Sequence, residues 1–240
     1  MMLGNLLEAR NHFDKALQIY RMDEHAELAM LFGQDGGAMS AIFQSWTCLL
    51  LGDEPKRAAT VRRAMDLVEV LKQPNTEGFV RTCLGMLASL KGDWEEAINH
   101  ADRVIVLAKQ EGMPHWEAQA TALRGCALVG AGQWASGKTL IRTGLELLTA
   151  LGSTSAFSFF YVGMLRAQLG LGEAQEAIET LDAWERYRER TSEQMLDTAL
   201  LDLRAKAQEL AGESLEVVEA TRRRAEETAQ RQSIQFRLAL

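Results

Sequence analysis

Five glycines stand 40 residues apart, at Gly52, Gly92, Gly132, Gly172 and Gly212. Their surroundings agree too: Gly52-Asp53-Glu54, Gly92-Asp93-Trp94, Gly132-Gln133-Trp134, Gly172-Glu173-Ala174 and Gly212-Glu213-Ser214. A fixed interval of this size marks one supersecondary unit copied end to end, since a unit of about 20–50 residues buries its apolar face only by stacking on its neighbours. Within the intervals apolar residues recur at spacings of three and four, as in Leu6, Leu7, Ala9, Phe13, Ala16, Leu17 and Tyr20. That is the helical period. Leu, Ala, Glu, Arg and Gln are abundant and prolines number three in 240 residues, so the expected fold class is all-α.

The glycine explains the turn. A helix that ends on a residue in the left-handed conformation favours glycine, which has no Cβ to clash there. Asp93 or Ser214, just after it, can cap the next helix. Seven residues before the glycine come Ser45, Gly85, Gly125 and Ala205, and five after it Ala97, Gly137 and Ala177. These small residues should let the two helices of a pair approach closely. Leu165 interrupts the first series, so the fourth pair should pack at a wider spacing.

The pattern predicts helices over about 5–21 and 23–32, then 35–51, 55–71, 76–91, 93–111, 115–131, 133–151, 153–171, 173–190, 192–211 and 213–231, with 233–240 starting another. Asp35, Ser153 and Ser192 are read as N-caps, and Pro55 and Pro114 sit in first turns. Gly4 with Ala9 repeats the glycine-to-small offset, so the first helix is the second half of a unit. Gly4 to Gly52 spans 48 residues, which makes a short helix and loop at about 22–37 an insertion of 8. Residues 1–240 then form one domain, with both end helices exposing apolar faces for a neighbouring domain or a second copy to cover.

The glycine–acid–aromatic–x–x–Ala turn resembles the tetratricopeptide repeat. The resemblance implies a superhelix (α-solenoid) of about five to six helix pairs, here with a 40-residue period instead of about 34. A second resemblance covers nearly the whole chain. Leu31-Phe32-Gly33-Gln34-Asp35-Gly36-Gly37, then Trp46 and Leu49-Leu50-Leu51-Gly52, then Gly112-Met113-Pro114-His115-Trp116, Leu123-Arg124-Gly125 and Gly137 through Leu145 look like one bacterial family. Its members are class III adenylate/guanylate cyclases fused to an AAA-type ATPase and a long tetratricopeptide tail. Gly36 stands where that family has proline, and Arg204-Ala205-Lys206-Ala207 departs from a late motif. The resemblance implies a sensor or scaffold tail related to signal transduction, as a fragment or stand-alone relative, with a cyclase or ATPase domain as neighbour. No catalytic residue carries over.

Net charge is −7, from 26 Lys+Arg against 33 Asp+Glu, which lacks the basic footprint of a nucleic-acid binder. Arg222-Arg223-Arg224 precedes Glu226-Glu227 and reads as a solvated face with pairing one turn apart. Cys48, Cys83 and Cys126 follow no metal or redox spacing. With no leader peptide and no apolar run near the ~20 residues of a membrane helix, a cytoplasmic location is expected.

Gly132-Gln133-Trp134-Ala135-Ser136-Gly137-Lys138-Thr139 satisfies the phosphate-binding pattern GxxxxGK[ST]. That chemistry needs a strand before the loop and a second strand ending in a magnesium-binding carboxylate. Gly132 and Gly137 already belong to the 40-residue frame, so the match is read as coincidence. His12, His25, His100 and His115 are too dispersed for a local metal site. Neither metal nor cofactor is expected, nor an enzyme activity.

Two readings of function stay open. In stacked pairs the first helix lines the concave side, and positions six, ten and thirteen before the turn glycines place Trp46, Met86, Arg166, Ile42, Met39, Phe79 and Phe159 there. As a groove these would dock a protein segment; alternatively, the aromatics simply pack between helices. The second reading is a small-molecule sensor for an attached catalytic domain, for which Arg166 and Gln119 are the candidate polar groups.

Overall fold

The computed structural model describes residues 3–153 and 157–235. Among them no strand occurs. The helices are α1 (Leu6–Ile19), α2 (Met22–His25), α3 (Leu28–Phe32), α4 (Gly36–Leu50), α5 (Glu54–Leu71), α6 (Pro74–Lys91), α7 (Trp94–Glu111), α8 (Pro114–Gly130), α9 (Trp134–Ala150), α10 (Phe157–Gly170), α11 (Ala174–Thr191), α12 (Asp197–Leu210) and α13 (Leu215–Gln232). No helix among the described residues is long and apolar enough to cross a membrane.

The turn chemistry recurs as its spacing requires. Gly52, Gly92, Gly132, Gly172 and Gly212 all hold φ between 73° and 84°. After each, the next residue donates its N–H to a carbonyl five back: Asp53 to Cys48, Asp93 to Ala88, Gln133 to Leu128, Glu173 to Gln168 and Glu213 to Gln208, at 2.9–3.0 Å. This bond satisfies a carbonyl that the helix end would otherwise orphan. The Asp53 and Asp93 carboxylates then accept from Lys56 N and Glu96 N at 3.2 Å, capping the next helix. Ser214 makes no such side-chain bond.

A second left-handed series, also 40 residues apart, ends the other helix of each pair: Lys72 (φ 49°), Gly112 (66°), Gly152 (70°) and Ser192 (57°). Two of its four members carry side chains, so glycine spacing alone does not reveal it. Ser192 therefore closes α11 and does not cap α12, which starts at Asp197. Ser233 likewise ends α13 at φ 57°; the helix expected beyond it and part of the Ser153 cap region lie outside the described residues.

Helices of two kinds alternate. In α4, 11 of 15 residues are buried, against 4 of 18 in α5. α6 and α8 resemble α4, while α7, α9, α11 and α13 resemble α5. A helix apolar all round belongs inside, so α4, α6, α8, α10 and α12 form an inner layer, each touching the next. α5, α7, α9, α11 and α13 cover them, and α1 lies against α4. Lys56 holds α1 through Asp14 at 2.7 Å, and Arg63 donates to Leu17 O at 2.8 Å.

Small residues set how closely the pairs approach. A Cβ added to Gly137 would lie 2.6 Å from Gly125 O, and one added to Gly125 would lie 2.7 Å from Gly137 O. α8 and α9 therefore meet backbone to backbone. α10 and α11, where Leu165 replaces the small residue, approach less closely, as the break in the series predicts.

The array closes on itself. Trp46 on α4 meets Phe159 on α10 with ring centroids 6.4 Å apart. Gln235 N, just past α13, donates to Leu50 O at 2.9 Å. Gly4, before α1, packs against the Gln232 side chain of α13. The end faces expected to be open thus meet each other, although Leu3 and Leu7 stay exposed.

Gly137→Ala should cost about 3 kcal/mol, the upper part of the overpacking range, because backbone has no room to yield. Gly132→Ala meets open space and should cost only the left-handed penalty of ~1–2 kcal/mol. Urea denaturation that ranks the two the other way would contradict this packing.

Candidate functional site

The residues expected to line a groove are mostly interior. Ile42, Trp46, Phe79, Met86 and Phe159 are buried, while Met39 and Arg166 are half-buried. Closure is the physical reason: a concave face curled until α4 meets α10 becomes a core. Rings run through it in contact, Phe13 to Phe43 (6.0 Å), Phe43 to Phe79 (5.4 Å) and Phe79 to Trp116 (6.0 Å). Trp46 Nε1 donates to Cys83 O at 3.2 Å. The aromatics therefore pack between helices, the alternative that the sequence left open, and no open groove runs over them.

Arg166 places its guanidinium 5.0 Å from the centre of the Trp94 ring, a cation–π contact. Gln119 is buried with Nε2 3.0 Å from His115 Nε2. The two polar candidates for a sensor pocket thus make separate contacts.

The phosphate-loop pattern has the wrong surroundings. Cys126-Ala127-Leu128-Val129 belongs to α8, Gly132 is a helix-end glycine and Gly137 is wedged against Gly125. Lys138 Nζ is held by Glu173 Oε2 at 2.5 Å and Glu176 Oε2 at 2.6 Å, tying α9 to α11. Thr139 donates to Ala135 O at 3.1 Å within its own helix. The N–H groups of Gly132, Gln133 and Gly137 donate to Val129 O, Leu128 O and Gln133 O, and no strand precedes the loop among the described residues.

Other candidate chemistry is quiet as well. Among the described residues no group of three His, Cys, Asp or Glu is placed to hold a metal. Burial pushes the Cys83 and Cys126 thiols up to about 12 and Cys48 to about 11, so none is a ready thiolate. Burial lowers His100 to about 4, leaving it neutral. Arg222 pairs with Glu209 at 2.9 Å and Glu219 at 3.1 Å, not with Glu226 as expected from spacing.

The insertion is different. Ile19 is 73 % exposed, Met30 87 %, Leu31 75 % and Phe32 72 %, and Met22 and Leu28 are exposed beside them. Helices of four and five residues, α2 and α3, are too short to fold over this apolar surface. Asp23, Glu24 and Glu27 are exposed around it, and Arg21 is taken by Glu24 at 2.8 Å. The base is firm. Tyr20 donates to Asp35 Oδ2 at 2.8 Å, Asp35 N to Thr76 Oγ1 at 3.1 Å, and Asn75 to Gly33 O. The sequence carries no sign of this exposure, since Leu28-Ala29-Met30-Leu31-Phe32 has the pattern of a buried run.

A second feature lies at the seam between α4, α12 and α13. There a cavity of about 600 Å³ is lined by Leu50, Leu196 and Ile234 together with Thr198, Lys206 and Glu226. The Thr198 hydroxyl is buried without a hydrogen-bond partner.

No family model and no curated protein matches the chain.

Proposed function

We propose that this chain is a non-catalytic, tetratricopeptide-like superhelix (α-solenoid) that works in the cytoplasm as a protein-interaction module. Its docking face is the insertion, not the concave side. The observation that carries this reading is the exposed apolar run around Met30, Leu31 and Phe32 on a firmly tethered base. Exposed apolar surface gathered in one place marks a partner site. The acidic rim of Asp23, Glu24 and Glu27 favours a segment with apolar side chains and flanking Lys or Arg, and it disfavours the same face of a second copy. The resemblance to cyclase–ATPase regulators makes a neighbouring cyclase or ATPase domain the first partner to test.

A fluorescent amphipathic helical peptide with Lys/Arg flanks, and a purified class III cyclase–ATPase module, provide the test. Saturable binding should weaken with salt and fall at least about tenfold in Met30→Ser/Phe32→Ser, a loss near 1.4 kcal/mol, with helicity unchanged. Equal binding by the double variant contradicts the assignment.

The seam cavity supports a second reading, a small-molecule sensor. About 600 Å³ falls in the range of ligand pockets, and a ligand there would bridge helices from the first and last pairs. Thermal shift against a metabolite library should then find a compound that raises the melting temperature, and lose the shift in Thr198→Val. A shift unchanged in Thr198→Val, or none across the library, defeats this reading.

A further inference from the structure

The linker between α11 and α12 holds two buried carboxyls four residues apart, Glu193 and Asp197. They are treated unequally. Asp197 Oδ2 is 2.7 Å from Arg188 Nη2 and accepts from Arg188 Nε at 2.8 Å, and Arg224 and Arg231 of α13 add positive potential there. Glu193 has no cation within ion-pair distance among the described residues. Its hydrogen-bond partner is the Tyr187 hydroxyl of α11, donating at 2.5 Å. The Ser158 hydroxyl of α10 also faces it and, like the tyrosine, works to lower its pKa. An ionised Glu193 would therefore be a buried anion with only neutral hydroxyls facing it, beside a second carboxylate that already claims the arginine.

This carboxyl sits at the point where the array closes. Its neighbour Gln194 accepts from Gln232 Nε2 at 2.8 Å, and the Gln232 side chain packs on Gly4 at the start of α1. The next two residues, Met195 and Leu196, are buried and form part of the seam cavity wall opposite Leu50. Leu50 O in turn accepts from Gln235. Glu193 thus lies within three residues of groups that adjoin both contacts that join the ends.

We infer that Glu193 is a proton-operated latch: the neutral carboxyl seats the 192–196 linker and keeps the seam shut, and loss of its proton loosens the linker and frees the ends. Burial raises its pKa above the ordinary carboxylate range, and the Tyr187 and Ser158 hydroxyls offset this only in part. The sign follows. When folding raises an acid's pKa, the unfolded chain gives up its proton first as pH rises, so stability declines from the ordinary glutamate range up to the folded pKa. The latch is closed at mildly acidic pH and weakens toward neutral pH, and Asp197, whose pKa burial also raises despite the Arg188 contact, acts in the same direction.

Hydrogen exchange of the Gln235 amide reads the seam directly, after correction for the intrinsic pH dependence of exchange. In the intact chain its protection should fall as pH rises from about 5 to about 8. Glu193→Gln keeps the shape and removes the ionisation, so most of the pH response should vanish, with Asp197 leaving a smaller one. Tyr187→Phe removes a donor to the anion and should lower protection further at every pH above the midpoint of the transition. If Glu193→Gln retains the wild-type response, or if wild-type protection is flat with pH, the latch is refuted. Amides of α8, remote from the seam, serve as the control: a parallel fall there would mean global destabilisation and would equally refute a local latch.

Discussion

Trp46 and Phe159 come from the first and fourth helix pairs, yet their rings touch inside the molecule. Burying a side chain of this size contributes roughly 2–3 kcal/mol, and edge-to-face aromatic pairs add about 0.5–1.5 kcal/mol. Phe43, Phe79 and Trp116 continue the cluster through neighbouring inner helices. The inner layer is held by this shared apolar interior, and curvature is what brings it together. An open curve would leave these rings in water. A closed one buries them and brings α13 against α1.

That constraint decides where binding can happen. A concave face filled by its own aromatics offers little to a peptide, so the proposed docking face is sought in features that closure does not consume. The insertion that carries Met30, Leu31 and Phe32 breaks the 40-residue step and projects from the tethered ends at Tyr20 and Asp35. The seam is the other such feature, with walls drawn from helices about 150 residues apart in sequence. One is a surface with an acidic rim and the other a partly open cavity lined by apolar and charged side chains with the buried Thr198 hydroxyl beside them. They suit different partners and can operate independently.

Much of the architecture is legible before any coordinates. The five turn glycines, the small residues at Gly125 and Gly137, and the break at Leu165 all act in the structure as their spacing implies. Serine misleads at 192 and 233, because it is a common N-cap and here sits left-handed at a helix end. Lys72 hides the second turn series for the same reason, since an exposed cap outside the helix tolerates a strained side chain. The groove assignment misses because helix periodicity tells which face of Trp46 or Phe79 is apolar, but not whether that face meets a partner or another helix. That depends on a small rotation per pair, summed over five pairs. Exposure of the insertion is equally invisible, as Leu28 to Phe32 reads like any buried apolar run.

Closure of the array is therefore the statement to test first. Cysteines placed at Leu7 and Arg231, both exposed, can carry spin labels while the three buried thiols stay unreactive. Double electron–electron resonance should give one narrow distribution at the short end of the accessible range. An array that stays open, with five steps of about 10 Å between packed helices, would instead give a broad distribution near 50 Å, and that result would contradict the account.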